Sequence, residues 1–163
     1  MCVPMQEVLN YLTTHDIPYV LHTHPAVYNM QDAAAHYQNI NGLPVKNLFL
    51  KDKKSGAYYL CILPGAKKLD FKKIESLLGS KAITFASAEN LKNVMGLEPG
   101  SVSIFGVLND PEGRVGIILD AEVHDASIVT FHPNTNTATI EITHDDLMKF
   151  LGLVKHSVQV VPL

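Results

Sequence analysis

The run Val45-Lys46-Asn47-Leu48-Phe49-Leu50 sets one ammonium inside an otherwise apolar, strand-like stretch. Successive side chains of a strand alternate between faces, so Lys46 shares a face with Leu48 and Leu50 and its charge sits beside packed surface. An unpaired charge buried there would cost several kcal/mol, which demands a partner, an open cleft, or both. Two readings stay open. Lys46 is either a strand-end lysine whose stem lies on apolar surface while its head reaches water, or the edge of a pocket for an anionic substrate, phosphate above all. Two turns further along could complete such a pocket. Pro99-Gly100-Ser101-Val102-Ser103-Ile104-Phe105-Gly106 places flexible backbone at the mouth of a strand, and Gly100, lacking a side chain, lets a substrate approach its amide and carbonyl closely. Phe131-His132-Pro133-Asn134-Thr135-Asn136-Thr137-Ala138 puts a histidine at a strand end before a turn. Taken singly, each segment also reads as an ordinary turn.

Other chemistries find less support. His22-Thr23-His24 presents two imidazoles on one strand face, but no third ligand follows at metal-site spacing, so structural or surface histidines are expected. There is no G-x-S-x-G elbow. The two cysteines, Cys2 and Cys61, have neither the spacing of a disulfide scaffold or zinc knuckle nor the setting of a nucleophile. Cys61, inside Tyr59-Leu60-Cys61-Ile62-Leu63, reads as a small buried hydrophobe. Asp145-Asp146 reads as helix N-terminal charge and not as an acid/base pair. No cofactor and no metal are expected.

A chain of 163 residues, nearly half of them apolar, is expected to form one domain, residues 1–163, with a proper core. No segment approaches the roughly 18 apolar residues of a membrane span, and the first residues lack the pattern of a signal peptide. The expected setting is the cytoplasm, with no membrane partner. A net charge of −3 argues against a protein that grips long nucleic acid, DNA included, non-specifically. The charge is nevertheless uneven. Lys46, Lys51, Lys53, Lys54, Lys67, Lys68, Lys72, Lys73 and Lys81 fall in one middle segment, whereas Arg114 is the only strong base between Glu98 and Asp146. Such asymmetry can steer a polyanion to one side of a domain, although a solvated helix and hairpin turn explain it equally.

The elements that must position these residues alternate irregularly. Val8, Leu9 and Leu12 give Pro4 to Thr14 helical spacing, with Pro4 suited to the first turn. Pro18 to His22 reads as a strand and Met30 to Gln38 as an alanine-rich helix. Val45 to Lys51 and Ala57 to Leu63 read as a hairpin around Asp52-Lys53-Lys54-Ser55-Gly56. Asp70 caps a helix to Leu78 that ends at Gly79, and Ser87 caps another to Val94 that ends at Gly96. Strands are expected at Val102 to Phe105, Val115 to Leu119, Ser127 to Phe131 and Ala138 to Ile142. Thr143 caps a last helix through Phe150, and Val158 to Val161 reads as a final strand. Hairpins mixed with scattered helices predict an α+β domain, a mixed and mainly antiparallel sheet surrounded by helices. No glycine-rich loop joins a strand to a helix, which disfavours a doubly wound nucleotide-binding fold.

Together, Lys46-Asn47-Leu48-Phe49-Leu50, Gly100-Ser101-Val102-Ser103 with Phe105-Gly106 and Leu108-Asn109-Asp110, Phe131-His132-Pro133 with Asn136-Thr137-Ala138, and His24-Pro25-Ala26-Val27-Tyr28 resemble the prolyl-tRNA synthetase-associated editing domains of the YbaK/ProX type. The likeness runs from about Ile17 to Phe150. It is closest to the free-standing ProX-type branch, whose members are similar to alanyl-tRNA(Pro) deacylases. The resemblance implies an aminoacyl-tRNA deacylase, a trans-editing enzyme that hydrolyses the ester joining a wrong amino acid to the terminal adenosine of tRNA(Pro), without a covalent protein nucleophile. It assigns Lys46, Gly100 and His132 to catalysis. Asn47, Ser101, Ile104 and Tyr28 are assigned to substrate binding. Lys53, Lys54, Lys67, Lys68, Lys72 and Lys73 would face the tRNA, and prolyl-tRNA synthetase is a further expected partner. Ile104 departs from the family pattern, which has proline at the corresponding position of a G-x-x-x-P loop. That departure keeps a non-catalytic tRNA- or synthetase-binding module open as an alternative, beside a deacylase for cysteinyl-tRNA or another small aminoacyl-tRNA.

Overall fold

The structure is a computed structural model that describes residues 4–163. Cys2, expected to stand outside any disulfide or zinc site, lies outside the described residues. The chain opens with helix α1, Met5–Thr14, which buries Val8, Leu9 and Leu12 behind an N-cap at Pro4. Strand β1, Val20–Thr23, is followed by α2, Met30–His36, which tightens into a 3-10 turn at Tyr37–Asn39. Strands β2, Leu43–Asp52, and β3, Tyr58–Pro64, form the expected hairpin. Asp52 closes its turn by accepting from the Lys54 N–H and the Ser55 hydroxyl.

Helices α3, Phe71–Leu78, and α4, Ala88–Met95, begin at side-chain caps from Asp70 and Ser87 and stop at left-handed Gly79 and Gly96. Between them lies β4, Ile83–Phe85, three residues too short to show a periodic signal. Strand β5, Val115–Asp120, runs into the short helix α5, Ala121–Asp125, which Asp120 caps. Both β4 and α5 were absent from the sequence-based expectation. The chain closes with β6, Ile128–Phe131, β7, Ala138–Thr143, α6, His144–Leu153, and β8, Val158–Val161.

The strands make one mixed sheet in the order β1-β7-β6-β2-β3-β5-β8, with β4 also on β2. Antiparallel pairs predominate, while β2–β6, β3–β5 and β5–β8 are parallel. Strands β3 and β5 are buried on both faces, which is why they are continuous apolar runs and not alternations. Phe49, Leu60, Ile62, Ile117 and Leu119 face the larger core. Their neighbours Leu50, Cys61, Leu63 and Ile118 face a smaller one closed by Ile74 and Leu163. Cys61 is the buried hydrophobe expected; burial, with the Asp120 charge behind it, pushes its thiol up to about 12, far from a reactive thiolate.

One expected strand is absent. Val102 to Phe105 is not a strand: Ser103 caps a 3-10 helix over Ile104–Asn109 by accepting from the Phe105 N–H. Ser103, Ile104 and Phe105 are all buried, so the segment lacks the alternation of a half-buried strand. Gly106 explains the tight packing, since a Cβ there would stand 2.6 Å from both Leu97 and Met95.

Beyond this helix, Asp110 is wholly buried and accepts from Arg114 Nε, the Val115 N–H and His156 Nε2. Burial alone would raise its carboxyl, but these hydrogen bonds outweigh it and hold the group below its ordinary 3.8. Its stabilisation is therefore present above that pH and lost as pH falls through the lowered value. Asp110→Ala leaves Arg114 and His156 without their acceptor and should lower the unfolding free energy by about 3–5 kcal/mol. Denaturant unfolding measures that loss. The variant should also show a smaller further loss than the native chain on acidification below about pH 4.

Candidate active site

The start of β2 lies where the two cores thin out. Val45 packs with Phe49 on the larger core, whereas Leu48 and Leu50 face the smaller one. By strand alternation Asn47 points with Val45 and Phe49, and Lys46 points with Leu48 to the opposite face. A pocket of about 240 Å³ opens across this strand end. Its wall comes from Val27, Tyr28 and Asn29 before α2, Tyr37 in the 3-10 turn after it, Val45, Lys46 and Asn47 of β2, Gly100 and Val102, and His132 beyond β6.

Lys46, Gly100 and His132, far apart in sequence, therefore meet in one cavity, with Asn47 and Tyr28 beside them. Among the described residues Lys46 has no carboxylate partner, so its ammonium is available to a ligand. Gly100 sits at φ +89 with open space where a Cβ would be. An L side chain there would be strained without clashing, so the glycine serves its backbone conformation. Tyr28 is 75% exposed at the rim. Ser101 is not part of the pocket wall, and Ile104 is 0% exposed within the larger core. Expected as a substrate-binding residue, Ile104 is a packing residue, because the 3-10 turn carries its side chain inward.

His132 is held from both sides. Its Nδ1 donates to the Ala138 carbonyl at 2.9 Å, and its own carbonyl accepts from the Ser103 hydroxyl. The carbonyl can only accept, so Nδ1 carries the proton and the neutral ring keeps Nε2 as a free acceptor. Burial lowers the pKa of His132 below its ordinary 6.5, the Ala138 hydrogen bond opposes this, and the neighbouring His24 lowers it further.

A second relay lies behind the pocket. His24 Nδ1 donates to the Pro25 carbonyl at 2.9 Å, which leaves Nε2 to accept from Thr139 Oγ1 at 2.8 Å. The Tyr37 hydroxyl bonds the same threonine, and burial, partly offset by that bond, raises its pKa above the ordinary 10.0. His24 also stacks on His36 at 5.7 Å and meets His132 edge-on at 6.3 Å between ring centroids. His22 is bonded instead to Glu141 at 2.8 Å, and no group of three or more His, Cys, Asp or Glu among the described residues is arranged to hold a metal. Ser103, Tyr37 and Thr139 were invisible as functional candidates in the sequence. Each is an ordinary residue type whose role depends on a partner distant along the chain.

The lysine cluster does not stay together. Lys53 and Lys54 are exposed in the β2–β3 turn, about 23 Å along the strand from Lys46 at roughly 3.3 Å per residue. Lys67 is not free to face a polyanion, because it bridges Asp120 at 2.8 Å and Glu122 at 2.7 Å. Lys68, Lys72 and Lys73 are exposed after β3 and on the first turn of α3.

Residues 24–150, which include every residue of the pocket wall, match the aminoacyl-tRNA editing domain family. The prolyl-tRNA editing protein ProX of Acetoanaerobium sticklandii is 35% identical over 147 residues, 90% of this chain and 89% of the relative. Prolyl-tRNA synthetase associated domain-containing protein 1 of Xenopus laevis is 31% identical over 155 residues, 93% of this chain and 92% of the relative. The crystal structure of a candidate trans-editing enzyme for prolyl tRNA synthetase shares the fold, with a TM-score of 0.72 at 23% identity over 100% of this chain and 98% of that one. With the family match spanning both core and pocket, and relatives aligned over most of their own length, this chain belongs to the aminoacyl-tRNA editing domain family.

Proposed function

We propose that this protein is a trans-editing deacylase that removes a wrong amino acid, alanine first, from tRNA(Pro). The observation that carries the reading is the convergence of Lys46, the Gly100 backbone and His132 on one small pocket. Its 240 Å³ falls below the ~300–1,000 Å³ of drug-sized sites. It suits a small aminoacyl group, with the nucleotide lying across the mouth. Lys46 holds the anionic 3′ end, and the backbone at Gly100 approaches the ester carbonyl. His132 Nε2 accepts a proton from water or from the substrate's own ribose hydroxyl. Water adds to the carbonyl, the ester C–O bond breaks, and the ribose oxygen leaves with a proton. The pocket wall carries no serine, threonine or cysteine. An aminoacyl ester is already activated, so positioning and charge stabilisation suffice. Val27 and Val102 narrow the cavity against larger side chains, proline included. The printed names of the relatives, a prolyl-tRNA editing protein and prolyl-tRNA synthetase associated proteins, agree with this substrate, and they support prolyl-tRNA synthetase as a partner and the cytoplasm as the setting. The alternative of a module without turnover loses its main support, since Ile104 fills the core and not the pocket.

Alanine, serine, cysteine and proline esterified to tRNA(Pro) form the deciding panel. Alanyl ester should be cleaved fastest and prolyl ester spared; cleavage of none would refute the enzyme. Lys46→Ala should fold normally yet lose roughly ten- to a hundredfold in kcat/KM, the value of a charge-assisted contact of about 1.5–3 kcal/mol. Full activity in the folded variant would remove Lys46 from the site.

Because His132 must be neutral to accept a proton, the rate should fall only on the acid side, with a midpoint below 6.5. His132→Gln should abolish that limb as well as slow the reaction. An unchanged acid limb would assign it to another group. Charge reversal at Lys53, Lys54, Lys68, Lys72 and Lys73 should weaken full-length tRNA binding and flatten its salt dependence, whereas hydrolysis of a small aminoacyl-adenosine ester stays unchanged. An unaltered salt slope would make these lysines ordinary solvated surface.

A further inference from the structure

Among the described residues only two phenylalanine or tyrosine side chains are exposed, Tyr28 at the pocket rim and Phe85, at 58%. Phe85 ends β4, a short edge strand paired with β2, and stands directly opposite Leu50. Residues directly opposite in an antiparallel pair share a face, and by alternation Lys46, Leu48 and Leu50 share one. Phe85 therefore lies on the face of Lys46, about 13 Å further along β2 at ~3.3 Å per residue.

A single exposed apolar side chain is ordinary. The surroundings set this one apart. Phe71, the first residue of α3, meets Phe85 edge-on at 5.3 Å between ring centroids and an interplanar angle of 82°. An edge-on contact covers at most one face of the Phe85 ring and leaves the other open. Exposed lysines flank the pair on two sides. Lys68 and Lys72 lie before and within the first turn of α3, while Lys81 precedes β4 and Lys53 joins it through the Ala82 carbonyl. Among the described residues none of these four lysines bridges a carboxylate, and Asp70 between them is spent on capping α3. An open aromatic face set among unpaired cations, on the same side of the strand as Lys46, suits a nucleobase with its phosphates alongside.

We infer that Phe85 is a stacking platform for one unpaired base of the tRNA 3′ end, upstream of the terminal adenosine. The inference rests on the deacylase reading and adds to it a second contact, remote from the ester. The 13 Å between the two positions corresponds to three or four stacked nucleotides at ~3.4 Å each. That matches the reach of an unpaired 3′ end whose last nucleotide sits at Lys46. A ring face reads the π surface that every base has, so the platform holds the strand without choosing its sequence. The flanking lysines take the phosphates on either side of the stacked base.

The test uses the full chain with alanyl-tRNA(Pro), the same tRNA made abasic singly at each unpaired position before the terminal adenosine, and the alanyl ester of adenosine alone. One abasic position should cost the native protein roughly five- to a hundredfold in kcat/KM, the value of one base–aromatic stack. Exchanging purine for pyrimidine there should cost much less. Phe85→Ala should show the same loss on intact tRNA, carried mainly in KM, and lose nothing further at that abasic position. Its preference for tRNA over the adenosine ester should fall accordingly, whereas Phe85→Tyr, which keeps a ring, should retain it. Uncharged tRNA(Pro) should bind Phe85→Ala more weakly by a similar factor. Equal slowing of tRNA and adenosine ester by Phe85→Ala overturns the platform, and so do losses from base and ring that simply multiply. Full activity of Phe85→Ala on tRNA overturns it too and leaves the ring to a protein partner. If the native protein cleaves no ester, the deacylase reading fails. The binding arm then decides the platform separately: unchanged affinity of Phe85→Ala for uncharged tRNA overturns it, and weakened affinity upholds it.

Discussion

Everything in this molecule hangs on β2, a strand hydrogen-bonded to β3, β4 and β6 and buried on both faces at Phe49 and Leu50. A strand in that position cannot slip by one residue without moving its whole apolar set to the wrong core. Phe49 and Leu50, locked into opposite cores, therefore fix where Asn47 and Lys46 point, two and four residues earlier on the same faces. At that end the cover is incomplete, and the side chains change from apolar to polar. The alternation that builds the core also places a cation on one side of a pocket and an amide on the other.

The remaining walls are loops, and loops hold a geometry only when their polar groups are tied down. The Ser103 hydroxyl joins the segment after Gly100 to the carbonyl of His132. The Ala138 carbonyl takes the imidazole proton across the following turn, where Asn134 adopts a left-handed φ of 57°. The loop before α2 is pinned by backbone bonds from His24 to Thr137 and from Val27 to Asn136. Each bond removes a freedom that would otherwise be lost when substrate is ordered, which is the physical meaning of a preorganised site.

Charge is distributed on the same logic. The buried carboxylates hold the scaffold: Asp52 closes the hairpin, Asp110 ties the 3-10 helix to β5 and His156, and Asp120 caps α5 while binding Lys67. The acidic second half of the chain is in good part structural. The basic middle segment is mostly exposed, apart from the half-buried Lys46, Lys51 and Lys67, and supplies the positive side.

By itself the sequence determined the local features: the capped helices at Asp70, Ser87 and Thr143, the hairpin around Asp52, and the apolar strand runs on either side of it. It also carried Lys46, Gly100 and His132, because they lie in segments that resemble the editing-domain family. These signals are short-range, a cap or a period being written within a few residues. Only the tertiary structure decided that Ile104 turns into the core, that Lys67 is neutralised by carboxylates more than fifty residues away, and that Tyr37, Thr139 and His24 form one relay. Burial and hydrogen-bond direction are properties of a side chain and its partner together. Where the partner comes from another part of the chain, neither residue can disclose the pairing until the sheet has brought them into contact.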